Sequence, residues 1–148
     1  MMRLESAAAT QSFGNQLAAQ LQPGDIIALS GDLGAGKTCL ARGLLTGLGF
    51  GGEVASPSFA LVIPYGPPFV RLAVAHVDLY RIDGPSQIDE LGLDDMLIDG
   101  ALIVEWPERM GARLWPDALR LRLKSNADDT RMLTAVVPPS WNSRWLYP

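Results

Sequence analysis

The sequence predicts a single α/β domain, and three observations carry that expectation. A short apolar run, Ile26-Ile27-Ala28-Leu29, leads straight into a glycine-rich segment and then into leucines at helical spacing. A second four-residue apolar run, Ala101-Leu102-Ile103-Val104, ends on the acid Glu105. Between them lie two β-rich stretches parted by Gly66-Pro67-Pro68. Short, fully apolar runs rich in β-branched residues read as strands covered on both faces, which is the pattern of parallel sheets. At 148 residues the chain has the usual size of one domain with one core.

Each element follows from local pattern. Phe13, Leu17, Ala18 and Leu21 recur at helical spacing, so a helix is expected over Thr10 to Leu21, with Thr10 as its cap and Pro23-Gly24 as its stop. The run Asp25 to Ser30 is the first buried strand. Thr38 to Leu48 carries Leu40, Leu44, Leu45 and Leu48 on one face and is stopped by Gly49 and Gly51-Gly52. Phe59 to Tyr65 and Phe69 to Val77 form a β-hairpin, because the prolines between them preclude a helix and favour a turn. Ser86 caps a short helix through Leu91, and Ala101 to Val104 follows as a buried strand with an acid at its carboxyl end. Ala118 to Lys124 and Met132 to Val137 read as two further strands. These elements place one domain over residues 1–137 and leave 138–148, with two prolines and two tryptophans, as an irregular tail.

Composition limits the function classes. With 48% hydrophobic and 19% charged residues the chain is an ordinary globular protein, neither disordered nor fibrous. No apolar run approaches the ~20 residues of a membrane span, and no apolar stretch follows the basic residue near the amino terminus. The single cysteine, Cys39, cannot close an intramolecular disulfide. A cytoplasmic protein is therefore expected. A net charge of -4 opposes a broad positive face, the main source of non-specific nucleic-acid affinity. If RNA is the final target, another protein is expected to hold it.

The chemistry concentrates in Gly31-Asp32-Leu33-Gly34-Ala35-Gly36-Lys37-Thr38, a complete G-x-x-x-x-G-K-[ST] pattern set between a buried strand and a helix. Glycines let successive backbone N–H groups point into one concavity, which with the helix amino terminus makes a phosphate cradle. Lys37 reaches the β- and γ-phosphates and the Thr38 hydroxyl ligates magnesium, so ATP with Mg2+ is the expected ligand. Turnover needs a further acid. Glu105 and Asp78 each end an apolar run, where ligands meet the carboxyl ends of parallel strands. Each therefore reads as a magnesium anchor or water-orienting base, or else as an acid that caps a strand end or pairs with Arg81 or Arg109. His76 reads as a packed, hydrogen-bonded core residue in preference to a general base, and Cys39 as a small buried apolar one. Trp106 either lies over the nucleotide site or packs in the core. Arg120, Arg122 and Lys124 form the solvated face of a strand. Two rival readings share the loop: a small-molecule kinase, with Arg109 and Arg113 as lid cations, and a GTP-driven switch, for which the N-K-x-D type of guanine-reading segment is absent.

Beyond the loop, Ser56-Pro57-Ser58-Phe59, His76-Val77-Asp78-Leu79-Tyr80-Arg81 and Glu105-Trp106-Pro107-Glu108 stand in an order and spacing that closely resemble the TsaE (YjeE) family, from about Thr10 to Val137. The resemblance implies a P-loop NTPase-like three-layer α/β sandwich with a mixed, mainly parallel sheet and a β-hairpin. It implies an ATPase that supports a two-subunit synthase in threonylcarbamoyl modification of the adenosine 3′ of the anticodon; the short chain, with no arginine placed as a finger and an acidic balance, is itself expected to be a weak ATPase alone that partners stimulate. The tRNAs concerned read codons beginning with A and are reached through the protein partners. By the same resemblance the blocks at Ser56 and Asp78 are switch regions and Glu105 holds magnesium. Thr10, in a T-x-x-x-G match with Gly14, and Arg131 occupy places where family members contact the base or ribose. The sequence departs from the family in Ser58, where threonine is general, and in a proline-richer hairpin; serine keeps the hydroxyl that a switch uses.

Overall fold

Ile26, Ile27, Ala28 and Leu29 are buried on both faces of a strand, as their composition requires, and this strand is the centre of the molecule. The computed structural model describes residues 1–32, 34–54, 61–145 and 147. Among these, the chain forms β1 (Met2–Leu4), α1 (Ala7–Ala18), β2 (Ile26–Ser30), α2 (Lys37–Gly47), β3 (Val62–Tyr65), β4 (Ala73–Asp78), α3 (Pro85–Glu90), α4 (Leu93–Met96), β5 (Gly100–Glu105), β6 (Leu119–Ser125) and β7 (Arg131–Val136). Two 3-10 segments, Pro107–Arg113 and Pro139–Trp141, complete the set. The strands make one seven-stranded sheet in the order β1-β7-β6-β2-β5-β4-β3. β6, β2, β5 and β4 run parallel, while β3 and β7 run against them. The fold is thus a single α/β domain with a mixed, mostly parallel sheet.

Strand alternation divides the core in two. Ile27, Leu29, Ala101, Ile103, Leu119 and Leu121 face α1 and α2. Ile26, Ala28, Leu102, Val104 and Val77 face α3, α4 and the 3-10 segment after β5. On β6 the leucines are buried and Arg120, Arg122 and Lys124 are exposed, as the alternation requires.

α1 and α2 lie almost in backbone contact. A Cβ on Gly14 would stand 2.4 Å from the Leu40 carbonyl oxygen, and one on Gly43 would stand 2.1 Å from that of Gln11. Side chains at either position would push the helices apart, so glycine there sets their spacing. The amino end of α1 consequently rests against the first turn of α2, where the Cys39 Sγ donates to the Ala7 carbonyl at 3.1 Å.

Several boundaries differ from the sequence expectation. α1 starts three residues early, because Ala7-Ala8-Ala9 is strongly helix-forming and Ser6 caps it by accepting from the Ala9 N–H at 3.1 Å. Thr10 is therefore no cap; it is buried inside the helix and its hydroxyl donates to the Ser6 carbonyl at 2.9 Å. Ser86 is likewise inside α3, which starts at Pro85 after a Gly84 cap, proline being pre-set for a first helical position. The hairpin forms with Val62 opposite Val77 and Tyr65 opposite Val74. Its second strand begins at Ala73, because the Phe69 and Val70 N–H groups bond back to the Gly66 carbonyl. The expected strand residues 59–60 lie outside the described residues. β1 and α4 carry no sequence signal at three and four residues.

Beyond Pro138 the described residues have only a 3-10 turn, yet they are held firmly. Trp141 is fully buried in the α1–α2 side of the core. Arg144 donates to both oxygens of Asp25, at 2.5 and 3.0 Å, and lies 4.0 Å over the Trp141 ring. Among the described residues no helix is long and apolar enough to cross a membrane.

Candidate functional site

The parallel register brings three strand ends together: Leu29 of β2 and Asp78 of β4 both lie opposite Glu105 of β5. Side chains and loops leaving these ends must share the same rim of the sheet. The loop from β2 to α2 is shaped by positive φ at Gly31, Gly34 and Gly36. A Cβ on Gly31 would meet the Leu123 carbonyl oxygen at 2.3 Å, so only glycine lets the loop leave β2 this close to β6. The Ala35 N–H closes a turn onto the Asp32 carbonyl at 3.0 Å, and Gly36 then caps α2. The N–H groups of the first turn of α2 have no intrahelical acceptor and face the loop.

Lys37 is only 5% exposed. Its ammonium donates to the carbonyls of Gly31 and Asp32 and lies 3.9 Å from the centre of the Trp106 ring. Burial pulls its pKa below the ordinary lysine value, while the charges of Glu105, Glu108, Asp78 and Asp32 oppose that shift. Trp106 directly follows β5 in a left-handed conformation, φ 59°, uncommon for a side chain of that size. Its N–H reaches the Leu29 carbonyl, and its ring packs against Tyr80 at 4.9 Å. The ring is therefore part of the site wall and not of the deep core.

Asp78 and Glu105 are both nearly buried, at 6% and 3%. The Asp78 Oδ1 accepts from the Tyr80 N–H at 2.9 Å. The Glu105 Oε2 lies 2.6 Å from the His76 Nε2, so its partner is His76 and not Arg109. A cleft of about 320 Å³ is lined by Gly34, Gly36, Lys37, Thr38, Asp78, Glu105 and Trp106, with Cys39 and Arg42 at its edge. Cys39 is half-buried there, and not enclosed as its apolar character suggested, because its Sγ stands on the surface between α1 and α2.

The remaining expected site residues lie around this cleft. Ala35 is buried in the core and presents its backbone to the loop. Asp32 is exposed and borders a separate depression with Trp106 and Glu108. Arg131, at the start of β7, is nine-tenths buried and packs on the loop: a Cβ on Gly36 would lie 3.1 Å from its Nε. Its Nε and Nη1 have no hydrogen-bond partner among the described residues. Thr10 does not line the cleft, since its hydroxyl is engaged within α1. Leu33 and the block Ser56 to Phe59 lie outside the described residues. His76 is the packed, hydrogen-bonded core residue that the sequence suggested, but its pairing with Glu105 was not read from sequence. Its signal was present, because matched strand ends at Asp78 and Glu105 set His76 one pleat back on the same face.

A divalent cation fits this donor set. Among the described residues no group of three or more histidine, cysteine or acidic side chains could hold a metal by itself. Magnesium in nucleotide sites is instead held by one or two carboxylates, a hydroxyl and substrate phosphates. Thr38, Asp78 and Glu105 offer that combination of hard oxygens.

The model of the family described as "Threonylcarbamoyl adenosine biosynthesis protein TsaE" matches residues 4–133. The chain belongs to the TsaE family. A TsaE protein of Streptomyces coelicolor is 43% identical over 126 residues, covering 81% of this chain and 82% of that protein. One from Mycobacterium tuberculosis is 39% identical, covering 84% and 79%. One from Rickettsia prowazekii is 35% identical, covering 89% and 91%. All three are named tRNA threonylcarbamoyladenosine biosynthesis protein TsaE. Among solved structures, the crystal structure of Bacillus subtilus YdiB superposes with a TM-score of 0.78 at 29% identity, covering 96% of this chain and 87% of that one. The TsaE match spans every strand but β1 and the end of β7, and it includes the whole cleft.

Proposed function

We propose that this chain binds ATP with magnesium and hydrolyses it as an accessory subunit of tRNA threonylcarbamoyladenosine synthesis. The observation that carries the reading is the meeting of Lys37, Thr38, Asp78 and Glu105 around one cleft, at the carboxyl ends of neighbouring parallel strands. Membership of the TsaE family and the names of the relatives supply the pathway. The chain works in the cytoplasm with a two-subunit synthase that modifies the adenosine 3′ of the anticodon in tRNAs reading A-starting codons. The partners hold the tRNA, in keeping with the net charge of -4. Residues 1–137 carry the chemistry, and the 138–148 tail serves packing.

In this reading the backbone of Asp32, Leu33, Gly34, Ala35 and Gly36 cradles the phosphates and Lys37 neutralises their charge. Its ammonium exchanges the Gly31 and Asp32 carbonyls, a neutral pair of acceptors, for phosphate oxygens. Arg131, whose Nε and Nη1 lack hydrogen-bond partners beside Gly36 while its Nη2 lies 3.9 Å from the Asp129 carboxylate, serves the base and ribose end. Thr10, buried with its hydroxyl engaged within α1, is not placed to share that role. Thr38, Asp78 and Glu105 hold magnesium, which when bound offsets charge on the transferring phosphoryl group. Asp78 or Glu105 orients the attacking water. The kinase alternative loses support because Arg113 is held by Asp89 at 3.0 and 3.2 Å, and Arg109 lies over Tyr80.

The test pairs binding with turnover, using ATP and GTP. Glu105→Gln should keep nucleotide while hydrolysing it more slowly, by about 10²-fold or more if it acts as general base, with Asp78→Asn as the matched variant. ATP turnover at the normal rate in both variants would refute the site.

A further inference from the structure

We propose that His76 is the positioning residue for Glu105, holding one carboxylate oxygen so that the other is presented to the cleft in a fixed direction. The proposal rests on the reading of Glu105 as a hydrolytic residue. His76 is the only histidine in the chain and is fully buried. It lies in register with Ile103, and Asp78, two residues on, lies opposite Glu105. His76 and Glu105 therefore stand on one face of neighbouring strands, one pleat apart, with Nε2 and Oε2 at 2.6 Å. An ionised carboxylate only accepts, so the ring proton sits on Nε2 and points at Glu105.

The other ring nitrogen decides the matter. Nδ1 is buried with no partner among the described residues, and an unsatisfied buried polar atom destabilises a fold. A strand of the composition Ala-Val-Ala-His-Val-Asp would pack as well with an aliphatic residue there. The imidazole gives stability away at one nitrogen and gains a contact only at the other, and that contact is Glu105. The tether also has something to prevent. Glu105 is the acid that acts most strongly on the Lys37 charge. A loose Glu105 carboxylate would turn toward that ammonium and occupy both groups in an ion pair.

The experiment uses the full chain with His76→Gln, His76→Asn, His76→Leu and Glu105→Gln, each alone and each His76 variant combined with Glu105→Gln. A glutamine amide reaches the place of Nε2, whereas an asparagine amide stops one bond short. We expect His76→Asn and His76→Leu to lower kcat by about 10- to 100-fold, the range for partners that orient site ligands, with KM and the ATP dissociation constant within twofold. His76→Gln should recover most of the rate. No His76 change should slow Glu105→Gln further, because its effect passes through that carboxylate. Proton NMR of the nucleotide-free protein supplies a readout apart from activity. The ring N–H of the single histidine should appear far downfield and move upfield in Glu105→Gln, a comparison that needs no His76 variant to fold. Wild-type turnover in His76→Asn, no advantage of Gln over Asn, multiplying effects in the double variants, or an unmoved ring signal would each overturn the proposal. A normal rate in Glu105→Gln alone would instead remove the reading on which it rests.

Discussion

Lys37 sits where burial and charge pull in opposite directions, and the balance sets what it can do. Its ammonium is desolvated, which lowers its pKa, but four acids act against that shift. A desolvated cation beside loop carbonyls gains more from a phosphate than an exposed lysine would. ATP with magnesium at a hundredfold over its dissociation constant should therefore raise stability by about 2.7 kcal/mol. Lys37→Ala should lose most of that gain in a thermal-shift titration, and an unchanged shift would contradict the assignment. Asp128, in the β6–β7 turn that leads to Arg131, has its carboxyl held below the ordinary range, chiefly by the Thr130 hydroxyl at 2.6 Å and then by the Thr130 N–H. A depressed carboxyl contributes stability above its unfolded value and loses it as pH falls through the folded one. The gap in thermal midpoint between the native chain and Asp128→Ala should thus be present at pH 6 and close below about pH 4. A gap unchanged at low pH would exclude the hydrogen-bonded carboxylate as its source. The place of single residues was legible where a motif fixes it, as with Lys37 and Thr38, which line the cleft. Contacts across strands, such as His76 with Glu105 or Arg131 with Gly36, depend on register, which one sequence states only weakly.

At the scale of elements, the α1–α2 crossing couples packing to the site. Glycine inside a helix ordinarily destabilises by about 1 kcal/mol relative to alanine, so Gly43→Ala would stabilise an isolated α2. In the folded chain the added Cβ would stand 2.1 Å from the Gln11 carbonyl oxygen. Overpacking of this kind costs about 1–3 kcal/mol and outweighs the propensity gain. Urea denaturation should show Gly43→Ala destabilised, while Gly51→Ala, with open space around its Cβ, should be near neutral. A more stable Gly43→Ala would mean that the helices part without penalty. The tail makes a similar case, since Arg144→Ala leaves Asp25 nearly buried without its ion-pair partner and should cost roughly 3 kcal/mol. The elements with a clear period, β2, α2, β5 and β6, were read to within one or two residues. α1 starts ahead of Thr10 because Ala7, Ala8 and Ala9 favour helix and Ser6 caps them. β1, α4 and the anchoring of Trp141 escaped because short pieces are decided by what they pack against and not by their own pattern.

Over the whole molecule, the shared direction of the central strands gathers the cleft residues at one rim. The four parallel strands β6, β2, β5 and β4 point their carboxyl ends the same way, and the cleft is built from three of them. Among the described residues Arg113 is committed to Asp89, and no arginine finger is assigned among the expected residues. A cation or loop ordering supplied by a partner can be worth 10³ to 10⁵ in rate in phosphoryl transfer. The most direct test of the account is ATP turnover by the chain alone, with the two synthase subunits, and with those subunits plus tRNA, scored together with threonylcarbamoyladenosine formed. The account predicts weak turnover alone, a rise on adding partners, and modification that Glu105→Gln fails to support although it still binds ATP. Full turnover in isolation, or undiminished modification with Glu105→Gln, would contradict it.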